Sequence, residues 1–145
     1  MTPRLQAWIR QAEDDLAMAC HAREGGFFAQ ACFAASQAAE KALKGLLIGL
    51  GVEPPRSHSL ERLVDALAVS GVSVEGLRAL QLKLLSRMVT STRYPDGDEA
   101  PADLFDARDC EQALAIAAEV LKRVRELIDG DATPSAPGGA GDLKG

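Results

Sequence analysis

The segment from Phe27 to Leu50 constrains this chain more than any other. It carries Ala29, Ala31, Ala34, Ala35, Ala38, Ala39 and Ala42. Such small side chains favour a helix and let neighbouring backbones approach closely. Its polar residues Gln30, Gln37, Glu40, Lys41 and Lys44 are spaced seven, three, one and three apart. At about 3.6 residues per turn they form one narrow stripe. A helix that is apolar everywhere but one stripe has to be covered on several sides. The segment therefore reads as the central helix of a bundle.

The flanking sequence supplies the cover. Leu5, Trp8, Ile9, Ala12, Leu16, Ala19 and Cys20 recur at three- and four-residue steps, with Glu13, Asp14, Asp15 and Arg23 largely opposite, which predicts a first helix closed by Gly25-Gly26. Gly49, Gly51, Pro54 and Pro55 end the central helix. Ser57 or Ser59 is placed to cap a third helix bearing Leu60, Leu63, Val64 and Leu67. A fourth helix is expected with Leu77, Leu80, Leu84 and Met88 on one side, ending in the turn Tyr94-Pro95-Asp96-Gly97-Asp98. The last runs from about Asp103 to Ile128. Its Leu114, Ala117, Leu121, Val124 and Ile128 form a seam suited to a bundle or to a contact between subunits. No strand pattern and no internal repeat is present. The expectation is an all-α fold, an up-and-down antiparallel bundle of four to five helices over residues 1–129. Residues 130–145 hold five Gly, two Pro and three Ala, too little apolar surface to offset ordering entropy, and are expected to be disordered.

Composition removes several functions. The chain has 145 residues, 47% of them hydrophobic, with a formal charge of −5. That balance argues against sequence-blind coating of DNA but leaves room for a local basic pocket. The longest uncharged run within Met1–Ile128 is Gly25 to Ala39; it contains Gln30, Ser36 and Gln37 and is shorter than the ~20 apolar residues a membrane span requires. Met1-Thr2-Pro3-Arg4 leads into a charged amphipathic stretch, so no signal peptide and a cytoplasmic setting are expected, with no membrane partner. Three scattered cysteines, Cys20, Cys32 and Cys110, read as small apolar residues, and two histidines are too few for a multi-histidine metal site. No metal or cofactor is expected. A Gly-rich phosphate loop, Gly-x-Ser-x-Gly and His-Glu-x-x-His are all missing.

Three segments carry candidate chemistry. Gln37 to Lys44 contains the i,i+4 pairs Gln37/Lys41 and Glu40/Lys44; these form either a solvated, self-paired stripe or two lysines offered to a phosphate. His58, just ahead of a helix start, is either a loop anchor or an acid–base or phosphate-binding group. In Ser91-Thr92-Arg93-Tyr94-Pro95-Asp96, Arg93 suits bidentate contact with a phosphate and Tyr94, the only tyrosine, suits stacking on a base. The acids after it, Asp96, Asp98, Glu99 and Asp103, lack the ligand-and-glycine spacing of a calcium loop.

Four motifs follow in order: Trp8 with Asp14-Asp15-Leu16-Ala17, Gln37-Ala38-Ala39-Glu40-Lys41-Ala42-Leu43-Lys44, His58-Ser59-Leu60, and Thr92-Arg93-Tyr94-Pro95-Asp96. Together, over roughly residues 4–128, the chain resembles the HEPN domain family (higher eukaryote and prokaryote nucleotide-binding). The resemblance implies a helical bundle, commonly homodimeric, associated with nucleotides or RNA. It also implies pairing with a small nucleotidyltransferase in a toxin–antitoxin-like system. The nucleotide- or RNA-binding residues would then be Lys41, Lys44, His58, Arg93, Tyr94 and Asp96. Many members are metal-independent ribonucleases that use an Arg followed, after four to six residues, by a His. Here Gly51, Val52 and Glu53 stand at those places before His58, and Asp14, Asp15 and Leu16 before His21. The resemblance therefore favours binding over catalysis. Two alternatives remain: a ribonuclease toxin with a non-standard His58/Arg93 pair, and a pure protein-interaction module.

Overall fold

The first three helices are delimited by chemistry visible in the sequence. Thr2 accepts a hydrogen bond from the Leu5 amide at 3.1 Å and Pro3 follows it, a preorganised start for α1 (Pro3–Glu24). At its end Gly26 takes φ +81°, which lets the Phe27 amide reach Ala22 O at 2.8 Å and the Gly26 amide reach Arg23 O at 3.0 Å. Helix α2 (Phe28–Gly49) closes the same way through Gly51, with Val52 N on Leu47 O at 3.0 Å. Ser59 caps α3 (Leu60–Val69) by accepting from the Arg62 amide at 3.3 Å, while Ser57 Oγ accepts from Ser59 N at 3.0 Å. The structure is a computed structural model and describes residues 1–131.

Two expected helices are each divided. The fourth becomes a single turn, α4 (Glu75–Arg78), and α5 (Leu82–Ser91). The break at 79–81 changes the phase of the leucines: Leu77, Leu82, Leu85, Met88 and Val89 are buried, while Leu80 and Leu84 are only partly so. The last becomes a single turn, α6 (Pro101–Leu104), and α7 (Ala107–Asp131). Phe105 is extended, and α7 starts on a reciprocal pair: Asp106 Oδ1 accepts from Asp109 N at 2.9 Å, Asp109 Oδ2 from Asp106 N at 3.0 Å. Gly130 and Asp131 continue α7 past the expected boundary at 129. The rest of the stretch expected to be disordered lies outside the described residues.

The architecture is an all-helical bundle, without strands among the described residues, and α2 is its axis. Thirteen of the 22 residues of α2 are buried, against five of 22 in α1. It packs against α1, α3, α5, α6 and α7. Leu43, Leu47, Leu63, Leu67, Leu85, Val120 and Val124 fill the core, each contributing about 1.5–3 kcal/mol by burial. The α7 seam of Leu114, Ala117, Leu121 and Val124 is buried within the single chain, so it is a bundle contact. Cys32 and Cys110 are buried free thiols; burial first, then the neighbouring Cys110, pushes the Cys32 thiol up to about 12. Among the described residues no helix is long and apolar enough to cross a membrane.

Two glycines of α2 lie tight against α1. A Cβ on Gly45 would lie 2.7 Å from Trp8 Cβ, and one on Gly49 2.7 Å from Leu5 Cδ2. Alanine adds about 1 kcal/mol of helix propensity at either site. The Trp8 atom sits next to its backbone and has nowhere to go, whereas Leu5 Cδ2 is the far end of a rotatable side chain. Gly45→Ala is expected to lower stability by about 1–2 kcal/mol, and Gly49→Ala to leave it unchanged or raise it. Urea unfolding of both variants checks this; equal effects would show that the two approaches are not distinct.

Candidate functional site

The polar stripe of α2 divides into two sides. Gln30, Phe33, Gln37, Glu40 and Lys44 follow steps of three and four and share one face. Lys41 lies a further 100° or so round the helix and faces α1. There its Nζ is 2.6 Å from Asp15 Oδ2, and Asp15 Oδ1 also accepts from Gln11 Nε2 at 3.0 Å. The expected Gln37–Lys41 pairing gives way to this bridge between helices.

Glu40 is the centre of the other side. Only 6% exposed, it uses both carboxylate oxygens: Lys44 Nζ is 2.9 Å from Oε2 and His58 Nδ1 is 2.9 Å from Oε1. An ionised carboxylate only accepts, so Nδ1 carries the hydrogen. With Nδ1 engaged, Nε2 is the ring nitrogen left for a ligand, on a side chain 64% exposed. The loop bearing His58 is fastened from beneath as well. Ser86 Oγ on α5 donates to Glu61 Oε1 at 2.7 Å and accepts from the Leu60 amide at 3.0 Å, and Ser59 Oγ reaches Glu61 Oε1 at 3.4 Å. Burial raises the Glu61 carboxyl, but the Ser86 hydrogen bond, its own backbone amide, Lys83 and Ser59 together outweigh that and leave it below its ordinary value.

Arg93 lies at the other end of the same face. Its Nε donates to Val89 O at 2.8 Å, and its guanidinium carbon sits 4.8 Å from the Phe33 ring centroid and 5.1 Å from that of Tyr94. It has no carboxylate partner among the described residues. Beside it opens a cavity of about 250 Å³, lined by Phe27, Phe28, Gln30, Arg93 and Pro101 among others. Tyr94 is 58% exposed and stands out from the bundle. Asp96 is exposed and makes no hydrogen bond or ion pair among the described residues.

Of the residues singled out in the sequence, the structure sets Lys44 and His58 on one carboxylate and Arg93 with Tyr94 at a second point. Phe33 and Glu40, the anchors of these two points, are seven residues apart on α2, about 10 Å. Lys41 is turned away from both. Phe33, Gln30 and Phe27 were not among the candidates. Phe33 has a faint signal: it falls in step with Gln30 and Gln37 on the stripe.

A HEPN domain family model matches residues 5–127. The chain belongs to the HEPN domain family. It is 35% identical to the archaeal HEPN homologue ST0689, with 88% of this chain and 99% of that one covered at a TM-score of 0.70. It is 32% identical to TT1696 from Thermus thermophilus, with 87% and 99% covered at a TM-score of 0.73. No curated protein matches it. In this HEPN chain the partner of His58 is a carboxylate and not an arginine; Arg56, two residues earlier, is exposed. Among the described residues no group of three or more His, Cys, Asp or Glu is placed to hold a metal ion.

The depressed Glu61 carboxyl has a signed consequence. A carboxylate below its unfolded value of about 4.5 stabilises the fold above that pH and loses the contribution as pH falls through the folded value. The stability difference between wild type and Glu61→Gln should therefore be level from about pH 6 to 8 and shrink below about pH 4.5. Unfolding measured across about pH 3–8 checks this; a gap that stays constant would mean Glu61 is not held ionised by the Ser86 network.

Proposed function

We propose that this HEPN chain is a nucleotide- or RNA-binding module of the cytoplasm that cleaves nothing on its own. The observation that carries the reading is Arg93: a guanidinium pinned by Val89 O and flanked by two rings, with no carboxylate partner among the described residues. Such a group has fixed orientation and an unspent charge, the two requirements for holding a phosphate. His58 Nε2 and the exposed Tyr94 extend the same face. The charges of Lys41 and Lys44 are already matched by Asp15 and Glu40, so they contribute less. The homodimer and the small nucleotidyltransferase partner of a toxin–antitoxin-like system belong to this reading through family membership, not through a contact seen in this chain.

A second reading is favoured by Glu40. A buried carboxylate that fixes the tautomer of an exposed histidine is what a general base requires, so a ribonuclease using His58 and Arg93 is the alternative. The two groups are anchored about 10 Å apart, more than a single phosphate spans, which weighs against it. A pure interaction module is the third reading, and would leave Arg93 without effect on nucleotide binding.

The test is a titration of a labelled short single-stranded RNA and of nucleotides by fluorescence anisotropy. Arg93→Ala is expected to weaken binding about tenfold or more, and Lys41→Met to change it by less than about threefold. Millimolar or absent binding by wild type would overturn the reading. RNA shortened by wild type and left intact by His58→Ala would replace it with the ribonuclease.

A further inference from the structure

The cavity beside Arg93 has a composition that selects a ligand. Much of its lining is apolar: Phe28, Ala29 and the small residues Ala100, Pro101 and Ala102. Phe27 stands at its edge, 61% exposed. A large aromatic ring left open to water on the rim of a cavity offers a face for another flat ring. Gln30 also lines it, exposed and with no hydrogen-bond partner for its amide among the described residues. An amide with both a donor and an acceptor free can pair with the edge of a heteroaromatic ring. Arg93 is the single cation of the lining.

The charge around the cavity sets the number of phosphates. The segment that joins Tyr94 to the Ala100–Pro101 wall carries Asp96, Asp98 and Glu99, all exposed, and none is paired with a cation among the described residues. One guanidinium offers a single positive charge, which the roughly −1.5 to −2 of one terminal phosphate already uses in full. Further phosphates find no second cation in the lining, and the adjoining segment carries Asp96, Asp98 and Glu99. At about 250 Å³ the cavity is also smaller than the roughly 300–1,000 Å³ typical of pockets for drug-sized ligands.

Resting on the nucleotide-binding reading above, we infer that the Phe27–Gln30–Arg93 cavity takes one nucleoside monophosphate unit, its base against Phe27 and its phosphate on Arg93, and discriminates against triphosphates through Asp96, Asp98 and Glu99. The unit has two possible sources, a free mononucleotide or one residue of a single-stranded RNA.

The experiment measures dissociation constants by calorimetry in EDTA for AMP, GMP, CMP and UMP, for ATP and GTP, and for a short single-stranded RNA. Monophosphates should bind at least about tenfold tighter than the matching triphosphates. Phe27→Ala should weaken monophosphate binding about tenfold. Replacing the three acids together (Asp96→Asn, Asp98→Asn, Glu99→Gln) should abolish the preference; these side chains are all exposed, so the fold is unaffected. The RNA arm identifies the source: tighter binding of the strand than of its free monophosphates assigns the site to RNA, the reverse to a metabolite. Triphosphates binding as tightly as monophosphates would overturn the inference. So would Phe27→Ala without effect while Arg93→Ala still abolishes binding; in that case the nucleotide-binding reading stands and this cavity is not its seat. No binding of any of these ligands would overturn the reading itself, and the inference with it.

Discussion

A buried carboxylate organises this molecule. Glu40 is the one buried charged side chain among the described residues, and it lies on the helix that every other long helix packs against. An uncompensated charge there would cost several kcal/mol, so each oxygen has to be met. Lys44 meets one from the same helix, one turn on. His58 meets the other from a loop 18 residues away in sequence. The loop after α2 is thereby drawn back along the helix it has just left, and α3 begins where that return ends. Lys41 does the same for α1 through Asp15. The Glu40–His58 hydrogen bond and the Lys41–Asp15 ion pair thus set the angular positions of the third and first helices around α2, while the alanines and the glycines Gly45 and Gly49 set how close α1 comes.

The same requirement explains why charge that looks available in the sequence is not. A narrow polar stripe on a central helix resembles a binding surface, since lysines on a rigid rod are well placed to meet an anion. Covering the helix on several sides removes most of that stripe from water, and its lysines are consumed in neutralising acids. What survives is the charge at the margin. Arg93 comes from the turn after α5, past the point where helices are tightly packed, and its neighbours are rings and a carbonyl rather than carboxylates. The position most open to a ligand is therefore the one supplied by a loop, in keeping with the general division of labour between scaffold and connection.

Much of this was legible in the sequence, for local reasons. The alanine content of Phe27–Leu50, the glycines at the ends of α1 and α2, and Ser59 act within a few residues, and they identify the central helix and the boundaries around it. The Glu40–Lys44 pair is of the same kind and forms as its spacing indicates. The breaks at 79–81 and 105–106 were not legible, because leucines at acceptable spacing run straight through the first and the Asp106–Asp109 reciprocal cap replaces a helix interior with a helix start in the second. The burial of Glu40 was hidden too: an i,i+4 Glu/Lys pair is the usual mark of a solvated face, and only the His58 contact, from distant sequence, reveals otherwise. The Lys41–Asp15 bridge, 26 residues apart, belongs to the packing of two helices and to neither one alone.

The electrostatics of the whole chain then bear on how such a site operates. With a net charge of −5 and three acids in the segment after Tyr94, the field at a distance does not draw a polyanion toward the protein. In the proposed binding mode attraction would begin only at contact, where the guanidinium, already oriented by Val89 O and the ring of Phe33, requires little further ordering. A site of this kind gains its selectivity from shape and from the count of charges it can match, since each additional negative group on the ligand is a cost once Arg93 is occupied. Strongly basic nucleic-acid proteins work the other way, adding phosphate contacts and affinity together. Under the proposed function, the acidic segment after Tyr94 would not be an obstacle to anion binding at Arg93; it would limit how much anion that residue holds.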